Sequence, residues 1–293
     1  MPDQILIVAN PTSGGGRGRR FAELAAASIR SLGGSADVSF TSSQGDAARL
    51  ADAGRRQGVP CIAACGGDGT IHEVIGAIAG SDVALGVIPA GRGNDFARAL
   101  GIPTEPKAAG HLICGTNPSR MDLGIVNGRY FGTVVTMGFD SEVARLVYDH
   151  AVPFKGTAAY VMGVLKMLSD FRGIEARFEG DFGVVEGPIL LAATGNTSYY
   201  GGGMKIAPAA SPGDGLLDLC HVRMMSRLGI LKLLPKVFWG GHIGKPGVTA
   251  LRTSTLRIET DAPVWLFADG EPVCQTPAEI SAAPMVLSVI RPV

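Results

Sequence analysis

The stretch Cys65-Gly66-Gly67-Asp68-Gly69-Thr70 joins a short apolar run to a segment with helical spacing. The preceding residues 60–64 are all apolar, which is typical of a parallel strand buried on both faces. Apolar residues recur after the stretch at positions 71, 74, 75 and 78, the spacing of one helix face. Glycines let a backbone come close to phosphate groups, and the N–H groups of a first helical turn point at an anion. The stretch therefore predicts a strand, a phosphate-binding turn and a helix.

Asp68 places a carboxylate inside this predicted anion site. A carboxylate repels phosphate unless a cation or a proton lies between the two groups. Asp68 is therefore a candidate for contact with Mg²⁺, directly or through water, or for proton handling. The alternative is a tight turn in which Asp68 only caps the helix, because short glycine motifs are weak indicators of function.

Two further glycine-rich loops follow apolar runs. Residues 83–88 lead into Pro89-Ala90-Gly91-Arg92-Gly93-Asn94-Asp95-Phe96-Ala97-Arg98, and residues 5–9 lead into Asn10-Pro11-Thr12-Ser13-Gly14. The carboxyl ends of parallel strands share one edge of a sheet, and ligands bind at that edge in open α/β folds. Three such loops on one edge predict a nucleotide site.

The three motifs, in this order and spacing, resemble the diacylglycerol kinase catalytic domain. The bacterial soluble diacylglycerol kinases and YegS-like lipid kinases are the branch that the chain resembles most, over essentially its whole length. The resemblance implies an α/β domain with a parallel sheet, a mainly antiparallel β-sandwich domain, and an active site in the cleft between them.

The hydrophobic pattern supports the same division. Residues 1–120 alternate strand-like and helix-like segments, with helices expected at 21–30, 46–57 and 107–114, which predicts a parallel sheet covered by helices. From residue 121 to 293 short strand-like runs dominate, beginning with a hairpin at Asn127-Gly128, and predict a β-sandwich or barrel. One helix is expected at 156–170, and the last segment of the chain could return to the first domain.

Composition narrows the class of protein. The 293 residues carry 26 Lys and Arg against 26 Asp and Glu, so a general nucleic-acid partner is not expected. The five cysteines, without metal-type spacing, are expected as thiols in a reducing cytoplasm. No signal segment and no apolar run of the ~20 residues that span a bilayer is present in the sequence. We expect a cytoplasmic protein that makes transient peripheral contact with a membrane.

The second half contains two acidic motifs. Asp214 lies in a Pro/Gly turn whose carbonyl oxygens would suit Mg²⁺, although an aspartate-capped turn is an equal alternative from the residues alone. The resemblance implies a structural Mg²⁺ held by Asp214 and the main-chain oxygens of Ser211 and Leu216.

The second acidic motif, Asp269-Gly270-Glu271, offers a carboxylate base for a phosphoryl transfer to an alcohol. The alternative is a hairpin turn beside a solvated glutamate. The resemblance favours the catalytic reading, and the spacing leaves open whether Asp269 or Glu271 accepts the proton.

The resemblance also implies a nucleotide site, and two of its positions differ from the family. His72 stands where the family usually has Asn, and Arg92 stands where it usually has Thr or Ser. Asp68 would contact the catalytic Mg²⁺ or orient the nucleotide. The residues expected to bind ATP are Asn10, Pro11, Thr12, Ser13, Gly14, Thr41, Gly66, Gly67, Asp68, Gly69, Thr70, Ile71, His72, Arg92, Gly93 and Asn94.

The predicted function is an ATP- and Mg²⁺-dependent kinase that phosphorylates the hydroxyl of a lipid alcohol, such as diacylglycerol, at a membrane surface. An NAD kinase and a lipid-binding regulatory protein with a drifted site are the alternatives, and a homodimer is left open. Phe238 and Trp239 are expected in the core, with membrane contact through this lysine-containing stretch as the second interpretation.

Overall fold

The first layer is a parallel sheet made by the N-terminal half of the chain. In the computed structural model, which describes residues 4–148, 162–164, 166–168 and 171–292, its strands lie in the order β2, β1, β3, β4. All three neighbouring pairs are parallel. The strands are β1 (Gln4–Ala9), β2 (Ser35–Phe40), β3 (Cys61–Gly66) and β4 (Ala84–Pro89).

Successive side chains of a strand point to opposite faces of the sheet, and in these strands the side chains on both faces are apolar. Helices therefore cover both faces. Ile5 and Ile7 pack on one face with Ile29, whereas Val8 packs on the other face with Val74. The helices are α1 (Ser13–Gly16), α2 (Gly18–Ser31), α3 (Asp46–Arg56), α4 (Asp68–Ile78), α5 (Asp95–Ala99) and α6 (Pro106–Gly115). The helices α2 and α6 contribute to the first face, and α3 and α4 contribute to the second.

The C-terminal half is built from antiparallel strands with two apolar layers. One layer contains Phe131 and Phe178, and the other contains Phe139 and Val143. The strands are β5 (Ser119–Val126), β6 (Arg129–Phe131), β7 (Val134–Gly138), β8 (Ile174–Gly180), β9 (Gly183–Gly195), β10 (Leu217–Arg223), β11 (Val248–Thr253), β12 (Thr255–Thr260), β13 (Trp265–Ala268), β14 (Glu271–Gln275) and β15 (Ala278–Val289). The helices are α7 (Phe139–Tyr148), α8 (Arg227–Leu233) and a 3₁₀ helix, Leu234–Trp239.

The strand β15 connects the two halves. It pairs antiparallel with β5 and β12 along most of its length. At its end, Ser288 and Val289 pair in parallel with Ala84 and Leu85 of β4. The end of this strand is therefore the neighbour of β4 in the N-terminal sheet.

The predicted fold class, a parallel α/β half followed by a mainly antiparallel β-sandwich half, is confirmed. The hairpin at Asn127-Gly128 is present, with both residues at positive φ. The strand β11 and the helix α7 were not predicted. The predicted helix at 156–170 lies largely outside the described residues. The structure describes 162–164 and 166–168 of this range, and both segments are helical. Among the described helices, none is long and apolar enough to cross a bilayer.

The contact between Gly124 and Phe131 leads to a stability prediction. The two residues are partners across β5 and β6, and the buried Phe131 ring occupies the space that a Cβ at position 124 would need. We expect Gly124→Ala to lower the free energy of unfolding by about 1–3 kcal/mol, because the ring must move within a packed core.

The matched control is Gly76→Ala in α4, where a Cβ would meet no atom within 4 Å. Alanine there should raise the free energy of unfolding by about 0.5–1 kcal/mol, because glycine is unfavourable inside a helix. Urea denaturation of both variants tests this. Equal effects of the two substitutions would contradict the packing argument.

Candidate active site

The three glycine-rich loops meet at the carboxyl edge of the parallel sheet. A Cβ at Gly91 would lie 2.6 Å from the Cα of Gly67, so the second and third loops touch through their backbones. Gly14 has φ 61°, and a Cβ there would collide with the carbonyl oxygen of Ala90. Glycine is therefore required where the loops approach one another.

Side-chain hydrogen bonds fix the outer two loops. The Asn10 Oδ1 atom accepts from the N–H of Thr12 at 3.0 Å and from its hydroxyl at 2.8 Å. Asn94, at φ 52°, accepts from the N–H of Gly91 at 2.9 Å and donates to its carbonyl at 3.1 Å. Both loops are thus ordered by their own asparagine.

A groove of about 620 Å³ opens beside these loops. Six residues predicted to bind nucleotide line it: Asn10, Pro11, Thr12, Thr41, Gly69 and Thr70. The sequence did not indicate the other side of the groove, which follows β2 and includes Ser42, Ser43 and Gln44. Glu73 and Glu271 also line it. Glu73 has a structural role, because its carboxylate accepts from the N–H groups of Gly45, Ala47 and Ala48 at the start of α3.

Several predicted nucleotide residues lie away from the groove lining. Ile71 is buried in the core, and its N–H donates to the carbonyl of Gly67 at 3.1 Å. Arg92 is exposed and forms no ion pair with any residue that the structure describes. Ser13, Gly14, Gly66 and Gly67 form the loop backbones, and Gly93 approaches the Asp68 carboxylate.

Asp68 lies at the first position of α4, where its Oδ1 atom accepts from the N–H of Phe96 at 3.3 Å. Burial, together with the nearby charge of Asp95, raises the pKa of Asp68 from 3.8 to about 6. Burial also raises the pKa of Asp95. The Asp95 Oδ2 atom accepts from the N–H of Gly202 at 2.7 Å. Its buried Oδ1 atom has no hydrogen-bond partner among the described residues, and the Nε atom of Arg98 stays 3.9 Å away.

Asp269 occupies a very different environment. Its side chain is 4% exposed and accepts from four donors: His72 Nδ1 at 2.8 Å, the Gly132 N–H at 2.9 Å, the Thr133 N–H at 2.7 Å and the Thr133 hydroxyl at 2.6 Å. Burial alone would raise the pKa of Asp269, but these hydrogen bonds and the charge of His72 hold it below its ordinary value. Burial likewise opposes the protonation of His72, but the bond to Asp269 raises the pKa of the imidazole.

Glu271 begins β14, two residues beyond Asp269, and faces the groove. Its Oε1 atom lies close to the Gly69 backbone, where a Cβ would be 3.2 Å away. Burial raises the pKa of Glu271, and the charge of Glu73 adds to this effect, while His72 opposes it. The two carboxylates of the Asp-Gly-Glu motif therefore have opposite pKa shifts.

A second cavity, of about 210 Å³, is lined by residues of the second and third loops and by residues of the C-terminal half. Asp68, Asp269 and Tyr200 line it, and so do residues that the sequence did not single out: Asp95, Thr133, Thr136 and Asp140. The position of Asp95 inside the third motif was an available signal. Nothing in the local sequence distinguishes Thr133 or Asp140, because their place depends on the pairing of β7 with β9 and β13.

The turn expected to hold a structural Mg²⁺ contains an ion pair. The Asp214 carboxylate contacts the guanidinium of Arg252 through Oδ2 and accepts from the N–H of Leu216 at 3.0 Å through Oδ1. The carbonyl of Ser211 accepts from the N–H of Gly213 at 2.8 Å. Arg252 therefore neutralises Asp214 in this turn, and the assignment of Ser211, Asp214 and Leu216 to Mg²⁺ stays a prediction.

The raised pKa of Asp68 leads to a pH-dependent stability prediction. A carboxyl whose pKa is raised by folding contributes stability below its unfolded pKa, near 3.8, and loses that contribution as pH rises through about 6. In the absence of metal and nucleotide, Asp68→Asn should therefore be more stable than the native protein at about pH 8, by about 1–3 kcal/mol, and the difference should shrink toward about pH 4.

Urea denaturation at both pH values measures this difference. The control, Asp82→Asn, changes a fully exposed side chain and should shift stability by less than about 0.5 kcal/mol. An Asp68→Asn effect that is independent of pH would contradict the prediction.

Comparisons with known proteins agree with this architecture. A family model described as the diacylglycerol kinase catalytic domain matches residues 4–126, and one described as the YegS C-terminal NAD kinase beta sandwich-like domain matches residues 133–291. The diacylglycerol kinase of Mycobacterium tuberculosis (strain ATCC 25618 / H37Rv) is 36% identical over 300 residues, which cover 99% of this chain and 95% of that protein. The diacylglycerol kinase of Bacillus subtilis (strain 168) is 32% identical over 295 residues, covering 98% and 95%.

A solved structure gives the same result for the fold. The crystal structure of a diacylglycerol kinase from Bacillus anthracis str. Sterne superposes with a TM-score of 0.76 at 22% identity, covering 99% of this chain and 97% of that one. Both halves match family models, and relatives above 30% identity extend along nearly the whole chain. The chain therefore belongs to the diacylglycerol kinase family, as its three glycine-rich motifs predicted.

Proposed function

We propose that this protein is an ATP-dependent lipid kinase whose active site lies in the cleft between its two halves. The observation that carries the proposal is the placement of Asp68, Asp269 and Glu271 between two cavities. Glu271 lines the larger groove, whereas Asp68 and Asp269 line the smaller cavity. A phosphoryl donor in one cavity and the acceptor hydroxyl in the other would meet at these carboxylates.

The larger groove suits the nucleotide. It lies on the N-terminal loops, where backbone N–H groups and the side chains of Asn10, Thr12 and Thr41 can bind phosphate and sugar. We propose that the other residues predicted to bind nucleotide hold these loops in shape rather than contact the nucleotide. Arg92, which replaces the usual Thr or Ser, would extend from the loop toward solvent rather than close the groove.

Asp68 and Asp95 are candidate ligands for a divalent cation. Burial raises the proton affinity of both carboxylates, and the charge of Asp95 raises that of Asp68 further. A buried Asp95 oxygen has no hydrogen-bond partner among the described residues. These oxygens fit the chemistry that Mg²⁺ requires. When bound, Mg²⁺ would neutralise charge on the phosphates of ATP. Asp68 would contact it directly or through water.

Glu271 is the better candidate for the base. Both oxygens of Asp269 accept hydrogen bonds and its pKa is lowered, so it has little affinity for a further proton. The raised pKa of Glu271 favours acceptance of the proton from the lipid hydroxyl as that oxygen attacks the γ-phosphorus of ATP. ADP then leaves with the electrons of the broken P–O bond. Asp269 would act by positioning His72 and the backbone of Thr133.

The smaller cavity would hold the acceptor hydroxyl of a lipid such as diacylglycerol. Val134 and Phe267 give it apolar walls next to the carboxylates, which suits a hydroxyl attached to an apolar body. Such an acceptor resides in a bilayer, so we infer transient contact of a cytoplasmic protein with a membrane surface. The homodimer stays a prediction.

Transfer of labelled γ-phosphate from ATP tests the function. The purified protein with Mg²⁺ is given diacylglycerol, ceramide, a sphingoid base, phosphatidylglycerol or an isoprenoid alcohol in mixed micelles, with NAD as a soluble control acceptor. We expect label on a lipid alcohol, with diacylglycerol the leading candidate, and none on NAD. Label on NAD alone would identify an NAD kinase. ATP binding without any transfer would favour a regulatory protein with a drifted site, and Arg92→Thr would then test whether activity returns.

The two carboxylates of the Asp-Gly-Glu motif should respond differently to substitution. Glu271→Gln should lower kcat by about 10²–10⁴-fold with little change in stability, because a general base is lost from a half-buried site. Asp269→Asn should lower both activity and stability, the latter by about 1–3 kcal/mol, because an amide cannot accept all four hydrogen bonds.

Kinase assays and urea denaturation on the same preparations separate these effects. Glu279→Gln, at an exposed glutamate, is the control. A Glu271→Gln variant with native kcat, or an Asp269→Asn variant that keeps native stability, would contradict the assignment of roles.

A further inference from the structure

The segment that includes α8 and the following 3₁₀ helix exposes a cluster of large apolar side chains. Leu228, Leu231, Phe238 and Trp239 are 69%, 46%, 55% and 65% exposed. They account for half of the eight exposed large apolar side chains found among the described residues. The expectation that Phe238 and Trp239 lie in the core is therefore wrong. We call these four residues the apolar patch.

The inward side of the same segment explains why the patch faces outward. Ile230 and Val237 are buried and pack with Met204 and Ile206 in the outer apolar layer of the C-terminal half. Their contacts fix the orientation of both helices. Because the inner face is already filled, the four patch residues cannot join the core without unfolding the segment.

The stretch of sequence that contains the patch carries charge of one sign. Residues 219–258 contain no aspartate or glutamate and seven Lys or Arg residues, in a chain whose total charge is zero. Its Arg252 and Arg257 pair with carboxylates that lie just outside the stretch. Lys232 and Lys236 stand between the patch residues in sequence, and neither forms an ion pair within the part of the chain that the structure describes. Exposed aromatic and aliphatic groups mixed with lysines are typical of helices that lie in the interface of an anionic bilayer.

Hydrogen bonds connect the segment that carries the patch to a loop that lines the smaller cavity. The carbonyl of Val237 accepts from the N–H of Lys205 at 2.9 Å, and His242 bonds the carbonyl of Ile206 at 3.0 Å. Residues 205 and 206 continue the loop whose Tyr200, Gly201 and Gly202 line that cavity. A surface that contacts a bilayer through the patch would therefore lie one loop away from the acceptor site.

From these observations we propose that the apolar patch, with Lys232 and Lys236, is the surface by which this protein docks on bilayers that contain anionic lipids. The proposal rests on the proposed lipid kinase function for its purpose, but the binding itself does not require catalysis. Phe238 and Trp239 insert among the acyl chains near the headgroups, and the two lysines contact lipid phosphates. Lys232 and Lys236, which form no ion pair with a described residue, complement anionic headgroups beside the exposed rings, so the bilayer is the occupant that the charge favours.

Vesicle sedimentation tests the proposal without any kinase assay. The full chain is mixed with vesicles of phosphatidylcholine alone or of phosphatidylcholine and phosphatidylglycerol. We expect binding to the anionic vesicles that weakens with salt. Phe238→Ser with Trp239→Ser should weaken binding by roughly tenfold or more. Lys232→Glu with Lys236→Glu should weaken it by at least about 25-fold, at about fivefold for each lost charge.

The matched control is Leu32→Ser with Lys107→Glu, which changes one exposed apolar and one exposed basic residue outside the patch. It should bind like the native chain. In a Trp265→Phe background, Trp239 is the sole tryptophan, and its emission should shift to the blue when anionic vesicles are added. This readout follows insertion even if a patch variant folds poorly.

Three results would overturn the proposal: native-like vesicle binding by both patch variants, Trp239 emission that anionic vesicles do not change, or a patch variant that loses only a dimer in size-exclusion chromatography. Phosphorylation of a water-soluble short-chain acceptor should be unchanged in the patch variants, whereas phosphorylation of a long-chain lipid in vesicles should fall. Vesicle binding by a chain with no kinase activity would leave docking intact and overturn only the proposed function.

Discussion

The arrangement of the site depends on the hydrogen bonds that one carboxylate accepts. Asp269 is bonded by His72 from α4 and by Gly132 and Thr133 from the start of the C-terminal half. His72 lies 197 residues away in the sequence, so these bonds join the two halves directly. Asp269 itself has φ 52°, a conformation that costs a non-glycine residue on the order of 1 kcal/mol. The bonds stabilise that conformation, and with it the position of Glu271.

The acidic residues of the candidate site have pKa values that differ because their hydrogen-bond donors differ. Asp269 is the most enclosed of them, yet its pKa is lowered because every oxygen meets donors. Asp68 and Asp95 accept fewer hydrogen bonds, so burial dominates and the pKa values of both rise, with the charge of Asp95 adding to the shift of Asp68. The hydrogen bonds of Asp269 favour folding. The burial of Asp68 and Asp95 opposes folding, and such unfavourable burial is typical of groups retained for function.

Much of the N-terminal half could be predicted because a buried parallel strand is a continuous apolar run, and glycine loops mark where each run ends. The C-terminal half was harder. The strand β15 continues through Met285, which has φ 55°, and its pairing register shifts there. Because of this shift, the alternation of apolar and polar residues does not run unbroken along the strand, and the sequence does not reveal the strand's first half. Within the candidate site, the acidic motifs predicted Asp68, Asp269 and Glu271, all of which line one of its two cavities. The enclosure of Asp269 by His72 and Thr133 depends on contacts between distant segments, which no local pattern encodes.

The pairing of β15 with β4 has a consequence for synthesis on the ribosome. The N-terminal sheet receives its fifth strand only when Ser288 and Val289 have been translated. Until then, the outer edge of β4 presents unpaired backbone groups, including the carbonyl of Leu85 that later accepts from the N–H of Ile290. An open edge of this kind can pair with another nascent chain. The N-terminal half therefore emerges first but completes its sheet last.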